Sequence, residues 1–410
     1  LFEELGFRYL GPVDGHDLDS LLPTLERVRQ LPGPILLHVL TVKGKGFVHA
    51  ERQPEVFHGT PAFDPDTGTR RSAPGLSFSK AFSASLLAQA RRRPEVVAIV
   101  AAMTSGTALD EFARELPERF FDVGIAEGHA VTLAAGLASE GYRPVVAVYS
   151  TFLQRSYDMI VHDVCLQNLP VVFALDRAGL VGEDGPTHHG VFDIAYLRHI
   201  PNMAVFAPSD VRELAGMLKT ALERRGPTAI RYPRGACHVM TEDWDPPAVP
   251  LGRARKLRAG TDAAILGLGN MLAPSLAAAE TLAREGVQVA VVDPRSVKPL
   301  DEAAVLGLAR DVGLLVTVDD HVAAGGFGSA VMECLHRAGR CCAVECIALP
   351  DRFVEYGTVD ELHEAYGLTA EGIAHRIRAR LRAATPRRDA RSSAAKAPAV
   401  GGRRRKRTAG

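Results

Sequence analysis

Four near-continuous apolar runs in the middle of the chain, Val96–Ala101, Val145–Tyr149, Val171–Leu175 and Ala204–Ala207, alternate with stretches of helical period, Phe78–Arg92, Glu127–Glu140, Phe152–Asn168 and Asp210–Arg225. A strand that is apolar at every position must be covered on both faces. Helices alternating with such strands supply that cover, so the pattern predicts a parallel sheet flanked by helices. Ser209 and Asp210 stand where the last of these helices needs an N-cap. The pattern recurs at Ala263–Leu268, Val287–Val292, Leu314–Val318 and Val344–Leu349. The expected fold class is therefore α/β, with two successive parallel or mixed-sheet domains over 73–241 and 250–382. Before them, residues 1–72 hold a helix pattern at Asp17–Gln30 and a buried strand at Ile35–Thr41, too little for a complete α/β domain. In that helix Leu18, Leu21, Leu22, Leu25 and Val28 form one stripe. Asp64–Gly75 and Glu242–Val249 read as linkers. Residues 383–410 turn to Ala, Ser, Gly, Pro and Arg and end in RRRKRTAG; they cannot bury a core and read as a disordered basic tail.

Bulk properties exclude several function classes. The 48 basic and 48 acidic residues balance, so no global field draws the chain to nucleic acid or membrane. No apolar run approaches the roughly 20 residues of a spanning helix, and no secretory signal opens the chain. The six cysteines lack paired C-x-x-C spacing, which points to reduced thiols in a cytoplasmic protein, not to zinc or disulfides.

Chemistry concentrates in Phe120–Thr132, FFDVGIAEGHAVT. Phe120, Phe121, Val123 and Ile125 read as a buried strand, and Glu127 arrives where the next helix begins. A carboxylate there either favours the helix dipole or serves chemistry. Arg155, Arg177 and Arg234 stand in loops and offer forked donors suited to phosphate. His188 and His189 are adjacent, but no carboxylate or cysteine stands at ligand spacing, so His188 reads as a proton-transfer or substrate-positioning group instead of a metal ligand. Lys43-Gly44-Lys45-Gly46-Phe47 is a glycine-spaced basic loop after a strand, suited to approach phosphate or to serve as a plain turn.

Nine segments in order carry a family resemblance: GPVDGHD at Gly11, TVKGKGF at Thr41, FHGTPAFDP at Phe57, DVGIAEGHAVT at Asp122, YSTFLQRSYD at Tyr149, ALDRAGLVGEDGPTHHG at Ala174, APSD at Ala207, IRYPRG at Ile230 and DPRSVKPLD at Asp293. With them the chain resembles the 1-deoxy-D-xylulose-5-phosphate synthase family, thiamine-diphosphate enzymes of the transketolase superfamily. The resemblance implies that 73–241 is a pyrimidine-binding domain, 250–382 a transketolase C-terminal domain and 1–72 the end of a diphosphate-binding domain. It implies that Glu127 hydrogen-bonds the pyrimidine N1′ of thiamine diphosphate, that Phe152 stacks on the ring and that Ile125 is the apolar wedge bending the cofactor. A carboxyl group in a poorly hydrated crevice is suited to share that proton near neutrality. It further implies that Arg155, Arg177 and Arg234 hold glyceraldehyde 3-phosphate, with Tyr149, Asp184 and His188 around the reacting carbon. Phe47, Lys45 and His58 fall in cofactor- and site-lining positions. Gly128 departs from the family's usual A-E-Q-H, and Phe47 stands where the family often has Tyr.

The reaction implied condenses pyruvate with D-glyceraldehyde 3-phosphate to 1-deoxy-D-xylulose 5-phosphate and CO2, feeding isoprenoid and thiamine synthesis, in a homodimer. The family's magnesium grip is a G-D-G followed some thirty residues later by Asn, and this sequence has no such pair. The chain opens on Leu1 in mid-pattern, so it reads as a fragment of a longer enzyme, inactive alone. The competing readings are a pyrimidine-domain subunit of a split transketolase or of a 2-oxoacid dehydrogenase, and a non-catalytic interaction fragment.

Overall fold

The computed structural model describes residues 1–54, 56–60, 62–69, 76–237 and 245–384. The basic tail from 385, and parts of both linkers, lie outside the described residues. The chain divides into two compact units, Leu1–Pro74 and Gly75–Gly410.

In the first unit β1 (Arg8–Asp14) pairs in parallel with β2 (Ile35–Leu40). The helix Leu18–Val28 is N-capped by Asp17, whose side chain accepts from the Ser20 N–H. Its leucine stripe does not find a core: Leu18, Leu22 and Leu25 are exposed. β2, expected to be buried, is half-buried or exposed throughout. A two-stranded sheet has too little area to cover an eleven-residue helix.

The second unit opens with β3 (Leu76–Ser77), β4 (Val96–Val100), β5 (Phe120–Asp122), β6 (Arg143–Tyr149), β7 (Val172–Asp176), β8 (Ala204–Phe206), β9 (Thr228–Arg231) and β10 (Ala236–Cys237). It continues with β11 (Arg255–Arg258), β12 (Ala263–Gly267), β13 (Val289–Asp293), β14 (Ser296–Lys298), β15 (Leu314–Val322) and β16 (Ala343–Leu349). One sheet runs β14-β8-β9-β7-β6-β4-β5 and a second runs β11-β13-β12-β15-β16. Both are parallel except at one edge each, β14 and β11. β4 and β7 are buried at every residue, as the apolar runs Val96–Val100 and Val172–Leu175 require, and β7 carries Asp176 into the interior at its end.

Three features depart from expectation. β5 is an edge strand pairing only with β4, so Phe120 and Phe121 are half-buried and Asp122 is exposed. The expected helix Phe152–Asn168 is instead a series of short pieces: α-helical at Ser150–Leu153, 3₁₀ at Gln154–Ser156, α again at Tyr157–Met159 and π at Ile160–Cys165. β14 comes from the stretch 250–382 yet extends the sheet formed by strands of 73–241, antiparallel to β8. Asp210 does cap its helix, accepting from the Glu213 N–H.

The carboxyl ends of β9 and β15 meet in a buried ionic cluster. The Arg231 Nε donates to both Asp193 oxygens at 3.0 and 3.1 Å, and its Nη1 lies 3.4 Å from Asp320. Asn270 donates to the other Asp320 oxygen at 3.0 Å, and Ser150 to Asp193 at 3.0 Å. Burial opposes the Arg231 charge, but Asp193 and Asp320 outweigh it and its pKa is raised. His321 donates from Nδ1 to the Val322 carbonyl and accepts at Nε2 from the Ala195 N–H, which fixes it as a neutral ring. Gly179 has φ +80, and an added Cβ would lie 1.7 Å from Asp320, so only glycine fits beside the cluster.

Asp319 is buried next to this cluster, and burial raises its pKa to about 7. Protonation therefore favours the folded state. That stabilisation is whole below the unfolded value near 4, declines as pH rises, and is gone above about 7. Asp319→Asn should flatten the fall in unfolding free energy between pH 4 and 7, an effect on the order of a few kcal/mol, measured by urea denaturation at several pH values. Asp293, raised to about 6 by burial and by Glu213, leaves a smaller dependence of the same sign in that variant.

Candidate active site

In the second unit the residues singled out from sequence cluster at the carboxyl ends of β5, β6, β7 and β9, where open parallel sheets place their ligands. Beyond β5, Asp122 accepts from the N–H groups of Ala102 and Gly124 at 2.8 and 3.0 Å and from Thr104 at 3.1 Å. Gly124, at φ +71, turns the chain, and the Ala126 N–H closes onto the Gly124 carbonyl. The turn thrusts Ile125 outward, 82% exposed. Glu127 then opens the helix Glu127–Ser139, where Ala126 provides no side-chain cap. Its carboxylate is buried beside the orphan N–H groups, which favour negative charge.

Glu127 Oε1 accepts from Arg155 Nη1 at 2.7 Å, while Oε2 has no hydrogen-bond partner among the described residues. Sequence reasoning had put Arg155 on phosphate and gave Glu127 no cation. The intervening segment brings them together: its change of winding at Gln154–Ser156 turns Arg155 back across Phe152, with Cζ 5.4 Å from the ring. Phe152 stacks on Tyr149 at 5.7 Å and 12°, and meets His188 edge-on at 5.5 Å. Burial raises the Tyr149 phenol to about 12, so it stays a neutral donor.

Arg177 follows β7 in the left-handed region at φ 58. It pairs with buried Asp176 at 2.9 Å, donates to the Gly106 carbonyl at 2.6 Å, and lies 4.0 Å over the Tyr149 ring. Arg234 pairs with Asp184 at 2.6 Å, both side chains being about two-fifths exposed. All three arginines thus already hold carboxylates, but not equally. An exposed pair such as Arg234–Asp184 is worth about 0–1 kcal/mol, whereas a charge-assisted contact to phosphate contributes about 1.5–3 kcal/mol. Arg234 can therefore exchange partners, and half-exposed Arg155 can swing away from Glu127. Arg177 is bound into the fold on three sides, and moving it would strand buried Asp176.

His188 is bonded through Nδ1 to the Thr187 hydroxyl, and Thr151 donates to the Thr187 carbonyl. The neighbouring His189 is buried and faces elsewhere.

Lys45, Phe47 and His58 belong to the first unit. Gly44 and Gly46 of the basic loop have φ +79 and +93, and the Gly46 N–H donates to Glu51 at 2.8 Å. Lys43, not Lys45, reaches His58, at 2.7 Å. Phe47 packs with Phe57, Phe63 and His49, its ring engaged in an aromatic cluster. Among the described residues no group of three or more His, Cys, Asp or Glu could hold a metal ion.

Sequence reasoning missed Asp176, Gly106 and the Arg231 cluster. Asp176 lay inside the quoted ALDRAG motif, and Asp319-Asp320-His321, three polar residues straight after an apolar strand, was a readable sign of a buried polar site.

Comparison with known proteins places this geometry. Residues 75–239 match the transketolase pyrimidine-binding domain and 252–373 the transketolase C-terminal domain, while 1–41 match a model described as 1-deoxy-D-xylulose-5-phosphate synthase. The 1-deoxy-D-xylulose-5-phosphate synthases of Desulforudis audaxviator and Syntrophotalea carbinolica are 52% and 54% identical over 94% and 92% of this chain. The chain belongs to the 1-deoxy-D-xylulose-5-phosphate synthase family. It spans 62% and 60% of the length of those two family members. The inactive β4 tetramer of a split-gene transketolase is 33% identical, with a TM-score of 0.67, over 75% of this chain and 99% of its own. A transketolase from Pichia stipitis shares the fold at a TM-score of 0.61 and 19% identity, covering 79% of this chain and 47% of its own. Synthase-family identity above 50% does not favour the dehydrogenase-subunit reading.

Gly128 is the second residue of the Glu127 helix, and a Cβ there would meet only the Met159 side chain, with its terminal methyl at 3.0 Å. That methyl is the free end of a flexible chain and can yield. Gly128→Ala should therefore stabilise the chain by roughly 0.5–1 kcal/mol through the helix term, read as a raised urea midpoint at unchanged m-value.

Proposed function

We propose that this chain supplies the pyrimidine-binding and C-terminal domains of a thiamine-diphosphate-dependent 1-deoxy-D-xylulose-5-phosphate synthase. The observation that carries the reading is the buried Glu127 carboxylate at a helix start, its Oε2 without a hydrogen-bond partner among the described residues, with Arg155 on its Oε1 and over the ring of Phe152, which stacks on Tyr149. An unpartnered carboxylate oxygen next to an exposed apolar residue, Ile125, and a half-buried aromatic ring fits an aminopyrimidine, which needs one acceptor at N1′ and two apolar faces. When bound, the cofactor supplies the carbanion-stabilising chemistry by which pyruvate loses CO2 and its two-carbon fragment joins D-glyceraldehyde 3-phosphate.

The chain's own residues divide the remaining work. Glu127 Oε2 holds the proton at pyrimidine N1′. Phe152 orients the ring by stacking and Ile125 wedges it. Arg234 and Arg155 take the phosphate of the acceptor, while Arg177 fixes the Tyr149 ring and lends positive charge. Tyr149, Asp184 and His188 line the reacting carbon, with His188 positioned to move a proton. Lys45, Phe47 and His58 are assigned to the cofactor side by motif alone. The Mg2+ and diphosphate grip is assigned, by the resemblance, to the G-D-G…Asn pair that this sequence lacks. The working form is a homodimer in the cytoplasm; among the described residues no helix is long and apolar enough to cross a membrane. The domain limits proposed are 73–241 and 250–382.

In a synthase carrying this chain, Glu127→Gln should lower pyruvate turnover by about 10²–10⁴-fold and weaken cofactor binding far less. Near-normal turnover would remove Glu127 from the proton path.

Arg234→Ala should raise the Michaelis constant for glyceraldehyde 3-phosphate by about 10- to 150-fold and leave that for pyruvate nearly unchanged, as steady-state kinetics with each substrate varied would show. A collapse of pyruvate affinity instead would assign the arginine to the wrong substrate.

A further inference from the structure

The loop that carries Asp184 and His188 is held from outside its own domain. It is pinched at its base, where Gly179 and Gly190 exchange backbone hydrogen bonds at 2.8 and 2.9 Å. Leu180 and Val191, flanking the pinch, join the apolar core built on β12, β13, β15 and β16. Within the loop His189 is buried and acts as a strut. Its Nδ1 accepts from the Val181 N–H at 3.1 Å, and its Nε2 lies 3.2 Å from the Glu355 carbonyl, in the segment following β16. A carbonyl can only accept, so Nε2 carries the proton and Nδ1 is bare. The ring must be neutral to make both bonds, in keeping with burial lowering its pKa. The segment beyond β16 also covers the loop from above: Tyr356 lies against Gly185, where an added Cβ would come within 2.2 Å of its ring, and Phe353 packs edge-on against Phe192 at 6.3 Å.

We infer that His189 is a positioning residue: through Glu355 it ties the segment Pro350–Gly357 of the C-terminal domain to the loop bearing Asp184 and His188, so that this segment sets where those two groups stand. The coupling is short and covalently direct, because His189 follows His188 and its backbone N–H bonds to the carbonyl of Gly185, next to Asp184. Arg234 reinforces the same loop by donating to the Val181 carbonyl as well as to Asp184. The functional consequence rests on the proposed synthase reading; the positioning itself does not.

The two bonds can be cut separately. Asn carries its acceptor oxygen where Nδ1 lies and keeps the Val181 bond; Gln carries its donor where Nε2 lies and keeps the Glu355 bond; Leu keeps neither. Hydrogen exchange of the full chain is the measurement. In His189→Asn the Val181 amide should stay slow while the amides of 182–188 and 351–357 speed up. In His189→Gln the Val181 amide should exchange about tenfold faster or more, and in His189→Leu both segments should loosen together with 182–188. Should the variants fold poorly, nitrogen-15 spectra of histidine in the unaltered chain decide: a neutral ring protonated at Nε2 is expected at pH 7, and a cationic or Nδ1-protonated ring overturns the inference. Folded Asn and Leu variants with unaltered exchange over 182–188 overturn it equally. Binding of D-glyceraldehyde 3-phosphate to the same proteins should weaken several-fold in the Asn and Leu variants and recover toward normal in the Gln variant. If the unaltered chain does not bind that compound, the substrate reading fails while the exchange data still judge the strut.

Discussion

Everything in the second unit is organised around one buried cation. Arg231, at the end of β9, has no water to solvate it and is held by Asp193 and Asp320, one from each side of the junction between the two sheets. Removing one partner of such a buried charge costs about 3–5 kcal/mol, more than an ordinary surface contact by several-fold, so parting the two sheets would strip Asp320 from Arg231 and leave only Asp193 to hold it. The cluster adds specificity as well as cohesion. Asp193 also takes the Ser150 hydroxyl, and Ser150 starts the segment bearing Phe152 and Arg155. The placement of the aromatic wall is therefore tied to the same ion that joins the sheets.

A second tie runs in parallel through β14, which leaves the five-stranded sheet's own sequence block to close the edge of the seven-stranded one. An exposed parallel edge at β8 would invite pairing with other chains; covering it by an antiparallel strand from the neighbouring domain removes that hazard. Ionic cluster and borrowed strand together explain why the described residues beyond Gly75 form one compact unit although they contain two large sheets and the small antiparallel pair β3–β10.

How much of this was legible from the sequence depends on whether a pattern was local. The buried strands were, because Val96–Val100 and Val172–Leu175 are apolar at every position. The helix from Phe78 to Arg92 was found to the residue, since Ser77 caps it and its period is unbroken. β1 was not found, because Gly11 and Pro12 interrupt its apolar alternation, nor was β14, whose three residues carry no pattern. Glu127, Phe152, Tyr149, Asp184 and His188 stood out as candidates through their motifs, but the partners the structure gives them did not. That Arg155 would face Glu127 depends on a change of winding between residues 153 and 157, and no periodicity announces a switch from α to 3₁₀ geometry. Likewise the exposed stripe on Leu18–Val28 shows that amphipathic spacing states what a helix would bury, not whether the cover is there.

The arginines' prior engagement with carboxylates has one more consequence. An arginine already facing Glu127, Asp176 or Asp184 is not an open invitation to any anion; a newcomer must displace a group of its own kind. A monoanionic carboxylate gains nothing by replacing another carboxylate of equal charge and similar shape. A phosphate dianion brings more charge and a third oxygen, and so wins the exchange. On the proposed reading of the site, the ion pairs of the chain would serve as an internal reference standard, against which a carboxylic acid and a phosphate ester are told apart.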